Sequence, residues 1–255
     1  MDPTFPTHPQ PLTIPPSSHP HRQTLIILHG RGSFPEKFAP PLLHTTPTTT
    51  SSSSSNLQTA FPHAKLIFPT ASRSRATIYK KSFTHQWFDC WHLEQYTQRQ
   101  DLREIEIVGA GNVLLWGMSQ GCAASLAAVL AWEGEAFAGV VGMCGWLPFG
   151  NLSDGEDSSE QKACIDSRAR GVEFFREEID MQDKKGMVFQ KIPIFLGHGT
   201  EDEKVPIELG REAKRVLALL GADVEMKEYA ELGHWYSEAM FDDIFRFLRE
   251  RLNIS

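Results

Sequence analysis

The sequence predicts an α/β protein with a mostly parallel central sheet and helices on both of its faces. Short apolar runs rich in β-branched residues and leucine alternate along the chain with longer segments of helical period. Several of these runs end directly in glycine, serine, histidine or acidic residues. Strands that alternate with helices form parallel sheets, and chemistry in such sheets collects at the carboxyl ends of the strands.

The composition of the chain excludes several classes of protein. Its 255 residues carry a formal net charge of -7 and are 41% hydrophobic, which leaves no basic surface for nucleic acid. The four cysteines, Cys90, Cys122, Cys144 and Cys164, show no metal-ligand spacing, and two of them lie in apolar segments as expected of buried free thiols. The N-terminus has neither a basic start nor an apolar segment. We expect a cytoplasmic protein, with a nuclear pool as a further option, and no stable membrane insertion.

The first third of the chain holds two segments of biased composition. Residues 1–22 contain seven prolines and few apolar residues, which predicts a flexible or extended leader before a single domain over 23–255. The run 24–28 predicts a buried strand. A helix is predicted from Pro35, and the threonine- and serine-rich residues 44–58 predict a disordered surface insertion after it.

Apart from the stretch 112–132, the remaining elements are predicted from short apolar runs and helical spacing. Residues 64–69 predict a second strand. Residues 71–95 predict a loop dense in aromatic side chains, which indicates either a wall for an apolar ligand or a satellite hydrophobic cluster. Helices are then predicted at 98–108, 172–181 and 206–220, with a terminal helix that runs to Leu252. Strands are predicted between them, at 139–145, 192–197 and 224–229.

The stretch Asn112–Trp132 is the one around which the predicted fold is organised. Residues 113–116 predict a strand, Gly117–Gly121 a sharp turn that presents Ser119, and the alanine- and leucine-rich residues that follow a buried helix. Glycines two before and two after the serine let strand and helix approach closely. The Gly-x-Ser-x-Gly pattern alone also fits a turn in a buried helical hairpin or a membrane span, although its polar centre argues against a span.

Two other strand ends carry groups that can serve this serine. A serine hydroxyl needs a neighbouring base to act as a nucleophile at neutral pH. Asp202 follows the strand at 192–197, and His234 follows the strand at 224–229. Serine, acid and base therefore occur in the chain order of an α/β-hydrolase triad.

Alternatives to both partners remain open from the sequence. Glu201 competes with Asp202 as the acid, and His198 competes with His234 as the base, although we expect His198 to shape the turn that holds Asp202. We expect His29 to structure the loop after the first strand rather than to act as an acid.

Four motifs together resemble one family. They are Leu-His-Gly-Arg-Gly at 28–32, Trp-Phe-Asp at 87–89, Gly-Met-Ser-Gln-Gly at 117–121 and His-Gly-Thr-Glu-Asp-Glu-Lys-Val-Pro at 198–206. The chain resembles fungal-like members of the acyl-protein thioesterase/phospholipase–carboxylesterase family, from about Leu25 to Leu252. The resemblance implies an α/β-hydrolase fold and hydrolysis of acyl esters or thioesters, including lysophospholipids, with no cofactor and no metal.

The resemblance also implies roles for individual residues. Ser119 would be the nucleophile that forms an acyl-enzyme, His234 the base and Asp202 the acid. The backbone N–H groups of Arg31 and Gln120 would form the oxyanion hole.

Expected substrate contacts come from aromatic residues near strand ends. The loop around Trp87 and Phe88 is implied to border an acyl channel, and Trp146 and Leu147 follow a strand end in the same way. Trp235 is a bulky neighbour of the base that would narrow the entrance. The expected partner is an acylated protein or a small acyl ester or thioester, bound by a monomer or homodimer.

A function of another class remains open, namely a catalytically weak hydrolase-like protein that binds an apolar small ligand. The segment between Trp87 and Gly117 is shorter than the family pattern by about a helix, and this departure keeps the alternative open.

Overall fold

The computed structural model describes residues 9–47, 56–89, 107–148 and 186–252, together with Glu173 and Glu177. Its strands are β1 (Leu12–Ile14), β2 (Gln23–Leu28), β3 (Ala64–Phe68), β4 (Arg73–Ala76), β5 (Ser82–His85), β6 (Val113–Met118), β7 (Gly139–Met143), β8 (Ile194–Gly199) and β9 (Val224–Tyr229). Seven of them form one sheet in the order β1-β3-β2-β6-β7-β8-β9. All neighbours in this sheet are parallel except β1 and β3.

The α-helices of the described residues are α1 (Pro35–His44), α2 (Leu57–Ala60), α3 (Gln120–Leu130), α4 (Ile207–Leu219) and α5 (Glu238–Arg251). Local chemistry explains several of their ends. The Ser237 side chain accepts a hydrogen bond from the Met240 N–H and caps α5, whose last turn carries arginines that complement the helix dipole. α4 begins directly after Pro206, as the sequence predicts.

Helices cover both faces of the sheet, and the alternation of side chains along the strands explains how. Leu114 and Trp116 on β6 join the core beneath α1 and α5, whereas Val113 and Leu115 join the core beneath α3 and α4. Each of the four side chains is almost completely buried. The predicted α/β architecture is therefore confirmed. None of the helices among the described residues is long and apolar enough to cross a bilayer.

The N-terminal segment contributes more than the sequence predicts. Residues 12–14 fall within the predicted leader, but they form β1 and pair antiparallel with β3. Leu12 and Ile14 pack against the core, so these residues are part of the folded domain. Residues 1–8 lie outside the described part of the chain.

The threonine- and serine-rich insertion ends earlier in the chain than the predicted boundary at residue 58. Residues 48–55 lie outside the described residues, but α2 begins at Leu57, whose side chain is completely buried. Asn56 caps this helix by accepting a hydrogen bond from the Thr59 N–H at 3.1 Å.

The aromatic stretch predicted as a loop contains a two-stranded hairpin, in which β4 and β5 pair antiparallel. Its strands are largely exposed and lack alternation of polar and apolar residues, which explains why the sequence shows no strand period there. Residues 90–95 and most of the predicted helix 98–108 lie outside the described residues, as does the predicted helix 172–181 apart from Glu173 and Glu177.

Candidate active site

Ser119 occupies a strained turn between β6 and α3. Its φ of 56° and ψ of -117° are rare for a residue with a side chain, and such conformations cost about 1–3 kcal/mol. The flanking glycines make the turn possible. A Cβ on Gly117 would overlap the carbonyl group of Gly121, and a Cβ on Gly121 would overlap that of Leu28. The predicted strand, sharp turn and buried helix are therefore present.

The loop after β2 lies directly against this serine. A Cβ added to Gly30 would lie 3.3 Å from the Ser119 Cβ and 3.8 Å from its Oγ, so a side chain here would fit only if the loop or the serine shifted by a few tenths of an ångström. The turn that contains Arg31 is closed by a hydrogen bond from the Ser33 N–H to the Gly30 carbonyl at 3.1 Å. Gln120 is the first residue of α3, where a backbone N–H has no acceptor within the helix.

The His29 side chain links the loop after β2 to the backbone at Ala71. Its Nδ1 lies 2.8 Å from the Gly30 carbonyl oxygen, and its Nε2 accepts a hydrogen bond from the Ala71 N–H at 3.2 Å. Burial lowers the pKa of His29 to about 4, so the ring is neutral near pH 7. The ring therefore holds the loop in place, as the sequence predicts.

Asp202 is fixed in a turn after β8. Its Oδ1 accepts hydrogen bonds from the backbone N–H groups of Lys204 and Val205, both at 2.9 Å, and its side chain is completely buried. Burial alone would raise the pKa of Asp202. The hydrogen bonds from Val205 and His234 outweigh that effect and hold the pKa below its usual value, so the carboxylate stays charged.

His234 pairs with this carboxylate through its Nδ1, which lies 2.7 Å from the Asp202 Oδ2. Backbone contacts between the two loops set this distance. The Glu201 N–H donates to the Leu232 carbonyl at 3.0 Å, and a Cβ on Gly199 would overlap that same carbonyl. An Nδ1–H that donates to a carboxylate leaves Nε2 as the basic atom of the ring.

The competing residues take other positions. Glu201 is exposed and does not pair with His234 in the structure. The Nε2 of His198 donates to the Val205 carbonyl at 2.8 Å and lies 3.4 Å from the Asp202 Oδ2. His198 therefore shapes the turn that holds the acid, as predicted. Burial lowers its pKa, so it is a neutral donor.

Cys144 is a neighbour of this pair that the sequence does not reveal. The cysteine follows β7 with a φ of 47°, and its Sγ donates to the Trp235 carbonyl at 3.3 Å. Its Sγ and ligand atoms of Asp202 and His234 lie within 4.8 Å of one another. Burial and the Asp202 carboxylate raise the pKa of this thiol to about 12. The thiol is therefore protonated and fills the space behind the carboxylate.

Four of the predicted substrate-contact residues lie in the loops that follow β5 and β7, and the fifth, Trp235, follows the base in the chain. The Phe88 and Trp146 rings meet edge to face at 6.4 Å, and the Trp87 ring lies 4.9 Å from the ring of His29. Leu147 is buried beside Trp146 in the chain. Trp235 is 40% exposed next to the base.

The structure brings the acid and base together, and it places the serine and the glycine loop together. Within the described residues, Ser119 forms no hydrogen bond with His234. A serine and its base often approach each other more loosely without substrate than during the reaction.

Comparison with known proteins identifies the family. The chain matches the phospholipase/carboxylesterase family over residues 10–106 and 174–252, which is more than half of its length. The chain belongs to this family. Asp202 and His234 lie within the matched residues, and Ser119 lies between the two matched parts. Membership confirms the predicted class of enzyme, a carboxylic ester or thioester hydrolase.

Individual family relatives are distant in sequence. Carboxylesterase SOBER1 of Arabidopsis thaliana is 25% identical over 77% of this chain and 83% of its own length. Acyl-protein thioesterase 1 of Gibberella zeae is 23% identical over 95% of both chains.

Solved structures of the family have the same fold. The crystal structure of Arabidopsis thaliana SOBER1 has a TM-score of 0.60 at 23% identity and covers 91% of this chain and 99% of its own. That of Zea mays acyl-protein thioesterase 2 has a TM-score of 0.63 at 20% identity, over 95% and 99%. The predicted α/β-hydrolase fold is therefore confirmed.

Proposed function

We propose that this protein hydrolyses esters or thioesters of acyl groups with Ser119 as the nucleophile, His234 as the general base and Asp202 as the acid that orients the base. The hydrogen bond of 2.7 Å between His234 and Asp202 carries the proposal. It fixes the tautomer of the imidazole and stabilises the imidazolium that forms when the ring takes a proton.

The reaction begins when the Oγ of Ser119 attacks the acyl carbonyl carbon and the Nε2 of His234 takes the hydroxyl proton. Negative charge develops on the carbonyl oxygen. We assign its stabilisation to the backbone N–H groups of Arg31 and Gln120, since the first lies in the loop against Ser119 and the second at the start of α3. One such donor contributes about 2.7–4 kcal/mol to lowering a barrier of this kind.

The imidazolium of His234 then gives its proton to the departing alcohol or thiol, and Ser119 carries the acyl group. Water attacks the acyl-enzyme with His234 again as the base, which releases the acid and restores the serine. Two features support a substrate whose acyl group is apolar. The rings of Phe88 and Trp146 lie together near the site, and relatives carry the names carboxylesterase and acyl-protein thioesterase.

Labelling with a fluorophosphonate probe and hydrolysis of p-nitrophenyl esters test the proposal. The wild-type protein should label, and Ser119→Ala should lose both labelling and about 10⁴-fold or more of its turnover. Ser125→Ala is the matched control, because Ser125 lies buried in the same helix and its hydroxyl donates to the Gly121 carbonyl at 2.9 Å. It should label like the wild type.

Labelling that survives in Ser119→Ala would contradict the assignment of the nucleophile. A folded wild-type protein that neither labels nor hydrolyses esters would instead favour a protein that only binds an apolar ligand. Parallel panels of esters and thioesters of increasing acyl length then define the substrate class.

A further inference from the structure

The side chain of Gln120 is buried beside the nucleophile and has an unusual pair of partners. Its exposed fraction is 0%, although most glutamines lie at protein surfaces. The Oε1 atom accepts the Trp87 N–H at 3.1 Å, and the Nε2 atom donates to the Phe88 carbonyl at 2.7 Å. One amide thus pairs with the N–H of Trp87 and with the carbonyl of the next residue of the aromatic loop.

A second contact links the same loop to the loop that lies against Ser119. The indole Nε1 of Trp87 donates to the His29 carbonyl at 2.6 Å, one residue before Gly30. The Phe88 ring meets the ring of Trp146 after β7. The aromatic loop is therefore held from the nucleophile turn on one side and from the glycine loop on the other.

We propose that the side chain of Gln120 is a positioning residue that anchors residues 87–88 as a wall of the acyl-binding site. The proposal rests on the proposed function and adds a role that the backbone N–H of Gln120 does not supply. Moving either partner away from a buried amide costs free energy, because the amide atom would lose its hydrogen bond without gaining one to water. The anchor thus keeps the wall at a fixed distance from Ser119.

The consequence concerns long acyl groups more than short ones. An acetyl group occupies the space next to Ser119, whereas a longer chain has to extend along the walls of the site. Loss of the anchor should therefore raise KM for esters of long acyl chains more than KM for acetyl esters.

Gln120→Met tests the anchor, because methionine has a similar length but no hydrogen-bonding amide. We expect KM for an octanoyl ester to rise about tenfold more than KM for the acetyl ester, a ratio that corresponds to loss of the two hydrogen bonds. Gln190→Met is the matched control. That glutamine donates to the Leu220 carbonyl at 2.9 Å and lies outside the site, so its substitution should leave the acyl-length profile unchanged.

Hydrogen exchange provides a readout that needs no turnover. The amide protons of residues 82–89, above all the Trp87 N–H, should exchange about tenfold faster in Gln120→Met than in the wild type or Gln190→Met. Gln120→Glu covers the case in which the methionine variant does not fold. It keeps an acceptor for the Trp87 N–H but has no donor for the Phe88 carbonyl, so it should shift exchange and acyl-length preference in the same direction.

Three results would overturn the proposal: unchanged exchange in a folded variant, faster exchange with an unchanged acyl-length profile, or an equal loss at every acyl length. These outcomes differ from failure of the proposed function, in which the wild type itself does not label with a fluorophosphonate. In that case exchange over 82–89 would still decide whether Gln120 anchors the loop.

Discussion

The acid of the site and the turn that carries its nucleophile are held by contacts of very different range. On the acid–base side, the Asp202 carboxylate accepts from the N–H groups of Lys204 and Val205, only two and three residues ahead. On the nucleophile side, Gln120 reaches Trp87, 33 residues away, and Trp87 reaches His29, 58 residues away. A short turn positions the carboxylate itself, although its pairing with His234 joins residues 32 apart. The arrangement around the nucleophile exists only when β2, β6 and the aromatic loop have assembled.

This difference predicts how each half fails. Changes on the acid–base side should reduce the chemistry while leaving local structure intact. Changes on the nucleophile side should alter the stability and arrangement of loops as well as activity.

The largest expected effect comes from Asp202→Asn. The amide is isosteric with the carboxylate but carries no charge, so it stabilises neither the productive tautomer nor the imidazolium of His234. We expect kcat to fall about 10⁴-fold. Ester hydrolysis measures the loss, and hydrogen exchange over 82–89 should remain that of the wild type. Altered exchange in that segment would show that the two halves are coupled.

A smaller effect is expected from the pH dependence of stability. The folded-state pKa of His29, about 4, lies below its ordinary value of 6.5, so the unfolded chain binds more protons between these values. The free energy of unfolding should therefore fall by about 3 kcal/mol from this residue as pH drops from about 6.5 to 4. His198 contributes in the same direction, because its pKa is also lowered.

Urea unfolding of His29→Gln at several pH values measures this contribution. Glutamine can accept the hydrogen bond from the Ala71 N–H but has no charge to gain, so stability should fall less steeply below pH 6.5. Equal slopes for the variant and the wild type would show that the histidine is already protonated in the folded protein. The difference in slope between the variant and the wild type should vanish above pH 7, where both side chains are neutral.

The smallest effect concerns the thiol behind the acid. Burial and the neighbouring Asp202 raise the pKa of Cys144 to about 12, and only a thiolate reacts rapidly with iodoacetamide. Peptide mass spectrometry at pH 8 should find Cys144 unmodified in the native protein and alkylated once the chain is unfolded. Rapid modification without unfolding would mean that the acid–base half opens locally.

The range of the contacts also explains what the sequence predicts. Asp202 and His198 contact backbone groups of their own turn, so a local motif is sufficient to predict that they share it. The partners of Gln120 were not predictable in that way. The sequence indicates a role for its backbone N–H, but nothing in the local pattern shows that its side chain meets the aromatic loop.

Cys144 illustrates the same limit. Its apolar surroundings predict a buried free thiol, which the structure confirms. Its position behind Asp202 depends on β7 and β8 being neighbours in the sheet, and strand order cannot be derived from the period of either strand. The sequence does not predict the hairpin β4–β5, because the residues of its exposed strands do not alternate between polar and apolar.

The edge strand β1 has a practical consequence. Without it, β3 would be the outermost strand, and its unpaired N–H and C=O groups would offer a template for other chains. A shortened form that starts after Ile14 should therefore aggregate more readily than the full chain, even with every residue of the site intact. Truncations intended for crystallisation should therefore leave residues 12–14 in place.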